Sequence, residues 1–465
     1  MNKFVKWCIN LCSFSQQRRQ KPAFLAAIFI LTLMAGVMFS VPTPAQVIIK
    51  TRQQPVITNQ KLPTVLPPVP TSKPDRLPTV TPPRQLPTIK PPQPQTVTNR
   101  EQSTELRGVW LTNIDSDVLF SSTNLTNALT RLKELNFNVV YPAVWNWGYT
   151  LYPSRVARNV IGRSVDPEPG LQKRDMLKEA VSEGHTRGLK VIPWFEFGFM
   201  APADSLLAKR RPQWLTNKVD GSKIKKEGVH NRVWLNPFRP DVQGFVKDLI
   251  VEMVQNYDID GIQFDDHFGL PSEYGYDNYT VALYKKEHNG KAPPKDNKNP
   301  EWLKWRADKI TDFMKEVFFA IKAVDKNCIV SVAPNPQRFS YEYFLADWKR
   351  WERMGLIEDL IIQIYRDDMS VFVNELQQPE VIAAKKHIPT SIGIISGLKN
   401  KHVPVEQIKA QVKEVRDRNF AGVSFFFYET LWNMSKEPSQ QRLSGLQQLF
   451  TTPAKYPNLL AESKS

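Results

Sequence analysis

Asp260-Gly261-Ile262-Gln263-Phe264-Asp265-Asp266-His267 runs through an apolar body and ends on three consecutive titratable side chains. Strand alternation puts Gln263, Asp265 and His267 on one face and Asp266 on the other. Carboxylates at the C-terminal end of an apolar strand suit the mouth of a parallel barrel, because its interior is filled by apolar side chains. Asp265 and Asp266 would repel if both were ionised in a partly dry site, so one is expected to keep its proton or a cation to neutralise the pair.

Outward from this stretch, short apolar strands alternate with amphipathic helices. Strands are expected at 107–113, 138–144, 190–197, 261–267, 329–335, 360–366, 390–396 and 422–429. Helices are expected at about 124–136, 172–187, 240–257, 301–322, 341–353, 370–383, 404–417 and 435–449. Eight strands, each followed by a helix, predict a (β/α)8 TIM barrel. A doubly wound sheet would need fewer units and a Gly-rich first turn, and none follows Asn113. Helix-to-strand connections are short, whereas those at roughly 145–171, 198–239 and 268–300 are long, as loops that build a catalytic face are.

Polar and aromatic residues gather at the predicted strand ends. Glu196 shares a face with Trp194 on the third strand, and Glu429 stands just before Trp432 on the eighth. Cleaving a glycosidic bond takes one carboxyl group as proton donor and a second as nucleophile or base, so Asp265, Asp266, Glu196 and Glu429 are the catalytic candidates. The chain has 12 tryptophans, of which Trp110, Trp145, Trp147, Trp194 and Trp432 fall at or just past strand ends, where a flat ring can stack on a pyranose. With Asn113, Tyr141, Gln263, His267, Asn335, Tyr365 and Tyr428 they form the expected substrate-binding set. Trp302 with Trp305, and Trp348 with Trp351, are spaced for packing on helices instead. Asp265, Asp266, His267, His185 and His230 contain no His-x-His or HExxH spacing, so neither a metal nor another cofactor is expected.

The N-terminal part differs in texture. Lys3, Lys6, Arg18, Arg19 and Lys21 precede an uncharged run from Ala23 to Val41, followed by small residues at Thr43 and Ala45, which reads as an export signal. Its 19 residues are also just long enough to span a bilayer, so two fates stay open: cleavage after Ala45, or retention as a membrane anchor. From Pro42 to Pro94 there are 15 prolines, with Leu-Pro-Thr recurring at 62–64, 77–79 and 86–88. Such a segment cannot bury a core and is expected to be a disordered, polyproline-rich spacer. The expected organisation is a signal peptide or anchor at 1–45, a basic linker at 46–104, the barrel at 105–452 and a tail at 453–465, in a protein exported to the periplasm or cell envelope.

The formal net charge of +16 would by itself suggest a nucleic-acid partner. Residues 1–104, however, hold 13 basic side chains against Asp75 and Glu101, so the folded part is only mildly basic and no nucleic-acid partner is expected. Cys8 and Cys12 precede the apolar run and Cys328 stands alone, which leaves no disulfide pair in the folded region. Cys328 reads as buried strand filler.

Several stretches carry a family resemblance: Arg107-Gly-Val-Trp-Leu-Thr-Asn113, Tyr141-Pro-Ala-Val-Trp-Asn146, Thr150-Leu-Tyr-Pro-Ser154, Trp234-Leu-Asn-Pro-Phe238, residues 260–268, and Ala333-Pro-Asn-Pro336. Together they span nearly all of 105–435, and there the chain resembles the glycosyl hydrolase-like 10 family. The resemblance implies a barrel glycosidase, exported in bacteria and acting on cell-wall glycan of the peptidoglycan type. Where a chitinase-like pattern has Glu two residues after Asp265, this chain has His267, so a mechanism relying on that Glu is not carried over. The rival reading is a non-catalytic cell-wall glycan-binding barrel whose acidic residues only accept hydrogen bonds from sugar hydroxyls.

Overall fold

A computed structural model of the chain describes residues 103–459. Eight parallel strands form its centre: β1 (Leu106–Leu111), β2 (Val139–Pro142), β3 (Lys190–Val191), β4 (Gly261–Phe264), β5 (Ile329–Val332), β6 (Asp359–Gln363), β7 (Thr390–Ile395) and β8 (Gly422–Phe426). They are ordered β3-β2-β1-β8-β7-β6-β5-β4. The two ends of this series meet. Asp260 N donates to Val191 O (3.0 Å), Gln263 N to Pro193 O (2.8 Å) and Phe195 N to Gln263 O (2.8 Å), closing the ring between β3 and β4.

The third strand was expected to run to 197, and its regular part is two residues long. Pro193 has no N–H to give the ladder, yet the chain beyond Val191 stays bonded to both neighbours: Trp194 N reaches Pro142 O at 2.7 Å. Pinned on both sides in this way, Trp194 and Glu196 are aimed as rigidly as residues of a longer strand.

The flanking helices are α1 (Ser122–Glu134), α2 (Met176–Thr186), α3 (Pro240–Asn256), α4 (Pro300–Val324), α5 (Trp348–Arg353), α6 (Met369–Leu376), α7 (Val405–Asp417) and α8 (Ser439–Leu449). In α1, Leu125, Ala128, Leu129 and Leu132 recur at helical spacing and are buried, and the Ser121 side chain caps the first turn by accepting from Asn124 N. Two expected helices are broken. The stretch at 341–353 divides into Gln337–Phe344 and α5 around Leu345, whose φ is +57°. That at 370–383 divides before Pro379, which starts a new helix because it cannot continue the old one.

The three long loops carry structure of their own: a short ribbon (145–150) and helix (155–161) after β2, a three-stranded antiparallel sheet (Met200–Pro202, Lys225–Glu227, His230–Trp234) after β3, and a helix (278–287) after β4. All three stand over the C-terminal ends of the strands. At the opposite end the last described residues fold back on β1, with Lys455 O accepting from Glu105 N at 3.1 Å. Cys328 is buried and unpaired, and burial pushes its thiol up to about 12. Residues 23–41 and the proline-rich segment lie outside the described residues.

Candidate active site

At the C-terminal mouth of the barrel, Glu196, Asp265, His267 and Trp194 line one cavity of about 110 Å³, with Asp266, Asn335 and Tyr365 also in its wall. Glu196 is 5% exposed. Its Oε2 accepts from Asn146 Nδ2 at 2.5 Å, and Asn146 is held in turn by donating to Asn113 Oδ1 at 2.9 Å. Burial, and then the charge of Asp265, push the Glu196 carboxyl up to about 8, against the opposing pull of His267, Asn146 and Arg232. At neutral pH it therefore carries its proton.

Asp265 is the first residue after β4. Its Oδ1 accepts from His267 N at 2.8 Å, capping a 3₁₀ turn over Asp266–Phe268, and its Oδ2 lies 3.2 Å from Trp194 Nε1. The expected strand to 267 thus stops at Phe264, and His267 enters the cavity from the turn rather than by alternation. His267 Nδ1 sits 3.1 Å from Glu196 O and 3.2 Å from Asp265 Oδ1, so the imidazole bridges the two candidate strands. Gly198 allows this close approach: its φ is +46° and a Cβ there would stand 2.0 Å from His267 O.

The turn sends Asp266 the other way. Its Oδ1 accepts from Ser340 Oγ (2.6 Å) and its Oδ2 from Asn335 Nδ2 (2.6 Å) and Asn335 N (3.1 Å). Burial, with a smaller contribution from Asp265, raises its pKa, and these donors work against that rise. The Asp266 carboxylate is consumed in tying the β5 end and the Gln337–Phe344 helix to β4. Glu429 is not brought to this cavity at all. The eighth strand, expected to reach 429, ends at Phe426, and a 3₁₀ turn over Tyr428–Leu431 carries Glu429 outward, where it accepts from Ser116 Oγ (3.0 Å) and Asn433 Nδ2 (2.9 Å). There Glu429, Asn113 and Tyr428 line a separate groove.

Of the aromatic candidates, Trp194 and Tyr365 line the cavity, together with Phe426, on which Tyr365 stacks at 5.6 Å. Trp110, Tyr141, Trp145, Trp147 and Trp432 are set into the core. Trp145 is fully buried, stacks on Phe195 and donates to Gly198 O, so no sugar ring reaches it. Trp147 lies under the guanidinium of Arg232 at 4.0 Å, and Trp432 under that of Arg131 at 4.8 Å. Trp110 and Gln263 belong to a buried polar chain: Trp110 Nε1 donates to Gln263 Oε1 (2.6 Å), Gln263 Nε2 to Ser331 Oγ (2.9 Å), and Ser331 Oγ to Asp359 Oδ2 (2.8 Å). Gln263, expected to bind substrate, is fully buried and faces the barrel interior, its amide spent on Trp110 and Ser331 rather than turned to the cavity. Aromatic residues at strand ends are as useful for filling a tapered barrel as for binding sugar, and only packing separates the two uses.

Glu227 and Asn146 were not anticipated. Glu227 lines the cavity, 3% exposed, from the sheet inserted after β3. Nothing in a long loop announces which residue it folds inward. Asn146 was visible within Tyr141-Pro-Ala-Val-Trp-Asn146, but its role depends on a carboxylate fifty residues away in sequence. His185 pairs with Asp260 at the N-terminal end of the barrel, 2.8 Å from Oδ2, while His230 packs against Trp147. Among the described residues no group of three His, Cys, Asp or Glu side chains is placed to hold a metal ion.

A closed (β/α)8 barrel with two buried carboxyl groups, Glu196 and Asp265, in an aromatic-walled cavity at its C-terminal mouth has the architecture of the barrel glycosidases. Residues 105–414 match the glycosyl hydrolase-like 10 family, and the chain belongs to it. It is 26% identical over 318 residues to glycosyl hydrolase DigH of Escherichia coli O6:H1, covering 61% of this chain and 71% of that one. Glycosyl hydrolase YngK of Bacillus subtilis is 22% identical over 302 residues, 57% of this chain and 55% of its own length. The PgaB (BpsB) glycoside hydrolase domain from Bordetella bronchiseptica shares the fold with a TM-score of 0.54 at 14% identity, covering 72% of this chain and 99% of that domain.

Proposed function

We propose that this chain is an exported glycoside hydrolase that cuts β-linked amino-sugar glycan of the bacterial cell wall, of the peptidoglycan type, with Glu196 and Asp265 as the working carboxyl pair. The observation that carries the reading is the Glu196 carboxyl, held up to about 8 by burial and by Asp265 in one cavity. An acid that keeps its proton at neutral pH beside a second carboxylate is the arrangement glycoside cleavage uses. Glu196 gives its proton to the glycosidic oxygen as the bond to the anomeric carbon breaks. Asp265 stabilises the positive charge left on the sugar, as nucleophile or as the base that takes a proton from water. Water supplies the hydroxyl of the new reducing end, and Glu196 is reprotonated. Asn146 positions Glu196, while Trp194 holds Asp265 and offers its ring to the substrate.

Export rests on the basic end, the apolar run and the proline-rich spacer, a series with no use in a cytosolic enzyme. Residues 1–104 fused to a reporter that works only outside the cytoplasm should give an active reporter, and a silent, cytoplasmic fusion would remove the cell-wall substrate with it. Activity is tested by release of new reducing ends from purified glycan strands by the wild type and by Glu196→Gln. Loss of release in the folded variant supports the acid role. A wild type that binds glycan and never makes new ends is the non-catalytic barrel.

A further inference from the structure

Across the hairpin of the sheet inserted after β3, Glu227 pairs with His230 and Lys225 with Arg232, and Gly228 and Val229 make the turn between them. Gly228 has a φ of +59°, the left-handed start that such a two-residue turn takes, and a turn this short fixes the register of both strands. Alternation along Lys225–Glu227 then sends Lys226 to solvent and Glu227 to the acid cavity, which it lines at 3% exposure. Five carboxyl groups line that cavity, and the protein holds four of them. Lys399 pairs with Asp115, Asn146 donates to Glu196, His267 N and Trp194 to Asp265, and Ser340 and Asn335 to Asp266. Among the described residues, no hydrogen bond or ion pair reaches the Glu227 carboxyl group. The cations nearest to it in register are engaged elsewhere: Lys225 Nζ with Glu273 at 2.7 Å, the Arg232 guanidinium over the Trp147 ring at 4.0 Å, and His230 against the edge of the same ring. Its oxygens are not sealed inside protein, so a molecule in the cavity can touch them. Taking a carboxyl group out of water without a donor is costly, and an N–H or O–H of a bound molecule would offset that cost.

We infer that Glu227 is a substrate-contacting residue, its carboxyl group accepting a hydrogen bond from an N–H or O–H of the sugar unit seated in the acid cavity. An acceptor of this kind matches what an acetylated amino sugar presents, an amide N–H and ring hydroxyls. Its work is binding rather than chemistry, because Glu196 and Asp265 already supply the proton and the opposing charge. The unbound protein loses stability by holding an acid without a partner, a cost that persists where function needs the group. The inference rests on the glycoside hydrolase reading for the identity of the ligand, and binding, melting and cleavage are read apart to test it.

The experiment compares the full chain with Glu227→Gln, which keeps the shape and removes the charge. The probe is the β-1,4-linked N-acetylglucosamine hexamer, titrated by calorimetry in a Glu196→Gln background so that it is bound and not cut. Affinity should fall roughly tenfold or more, the loss expected with a hydrogen bond to a charged group. A melt without sugar should stay level or rise, since no protein contact is lost and a buried unpaired acid is removed. With Glu196 intact, KM should rise while kcat stays within about threefold. Glu227→Ala, which removes the acceptor altogether, should weaken binding at least as much. The β-1,4-glucose hexamer locates the donor: an equal loss for both sugars marks a ring hydroxyl, and a loss confined to the acetylated one marks the amide N–H. Variants that bind the acetylated hexamer as the wild type does, or lose affinity only as they lose their melt, overturn the inference, as does a fall in kcat of about a hundredfold at unchanged KM. Cleavage alike in wild type and variants would retire the contact and leave the hydrolase. A hexamer bound through Glu227 and never cut would leave the contact and retire the hydrolase, and a wild type that binds no hexamer removes both.

Discussion

Replacing Asp265 by Asn removes one charge from the cavity and little else. The Asn carbonyl oxygen can still accept from His267 N, so the 3₁₀ turn keeps its cap, and the bond from Trp194 Nε1 is the one put at risk. One such bond is worth about 1 kcal/mol, a loss that a thermal melt would register as a small shift. The effect on chemistry should be far larger. Without the carboxylate that meets the developing positive charge, turnover should fall by roughly a thousandfold or more. Glu196 should respond as well, because the charge of Asp265 is the second cause of its raised pKa after burial. Over the ~5–9 Å that separates glycosidase carboxyl pairs, a unit charge at an effective dielectric of about 20 is worth about 2–3 kcal/mol, or roughly two pH units. In the wild type, kcat/KM should fall as pH rises through about 8, where Glu196 loses its proton. In Asp265→Asn the Glu196 carboxyl should titrate lower, which carbon NMR of the labelled side chain can follow without turnover. A folded Asp265→Asn variant with near-normal glycan cleavage, or one whose Glu196 titrates unchanged, would refute the pairing.

Asp266→Asn should cost stability more than turnover, since both Asp266 oxygens already serve Ser340 and Asn335; a melt that drops while turnover stays within about tenfold is the expected pattern for a structural group, and near-complete loss of turnover without destabilisation would make Asp266 catalytic. Trp145→Ala should destabilise by about 3–5 kcal/mol, as removal of a fully buried ring does, whereas Trp194→Ala should weaken glycan binding in a protein that still folds; denaturant melts read beside binding isotherms decide, and the reverse pattern would exchange their roles. Asp359 is fully buried and its carboxyl is pushed up to about 7 by burial. A raised folded pKa means that the folded state holds the proton longer, so this contribution is complete below the ordinary carboxylate range and is lost as pH climbs toward about 7. The stability of Asp359→Asn should accordingly depend less on pH over that interval, and an unchanged pH dependence in denaturant melts would show that Asp359 does not titrate there.

Local order in the sequence determined the barrel, because strand and helix periods are written into successive side chains and eight repeats of the pair admit few other closures. It also determined that Glu196 and Asp265 stand at the mouth: Asp265 follows β4 directly, and Glu196 follows a segment that both neighbouring strands hold in register. Tertiary structure decided the rest. Glu429 and Asp266 belong to the same kind of strand end, yet each is carried off by a 3₁₀ turn that alternation does not foresee. Trp145 and Trp194 look alike in sequence, and only their neighbours make one a core residue and the other a cavity wall. Glu227 and Asn146 reach the site from loops, and the raised pKa of Glu196 comes from burial and from a charge on another strand. A strand pattern fixes which face a side chain takes. Its solvent, its partners and its proton depend on groups distant in sequence that only folding brings together.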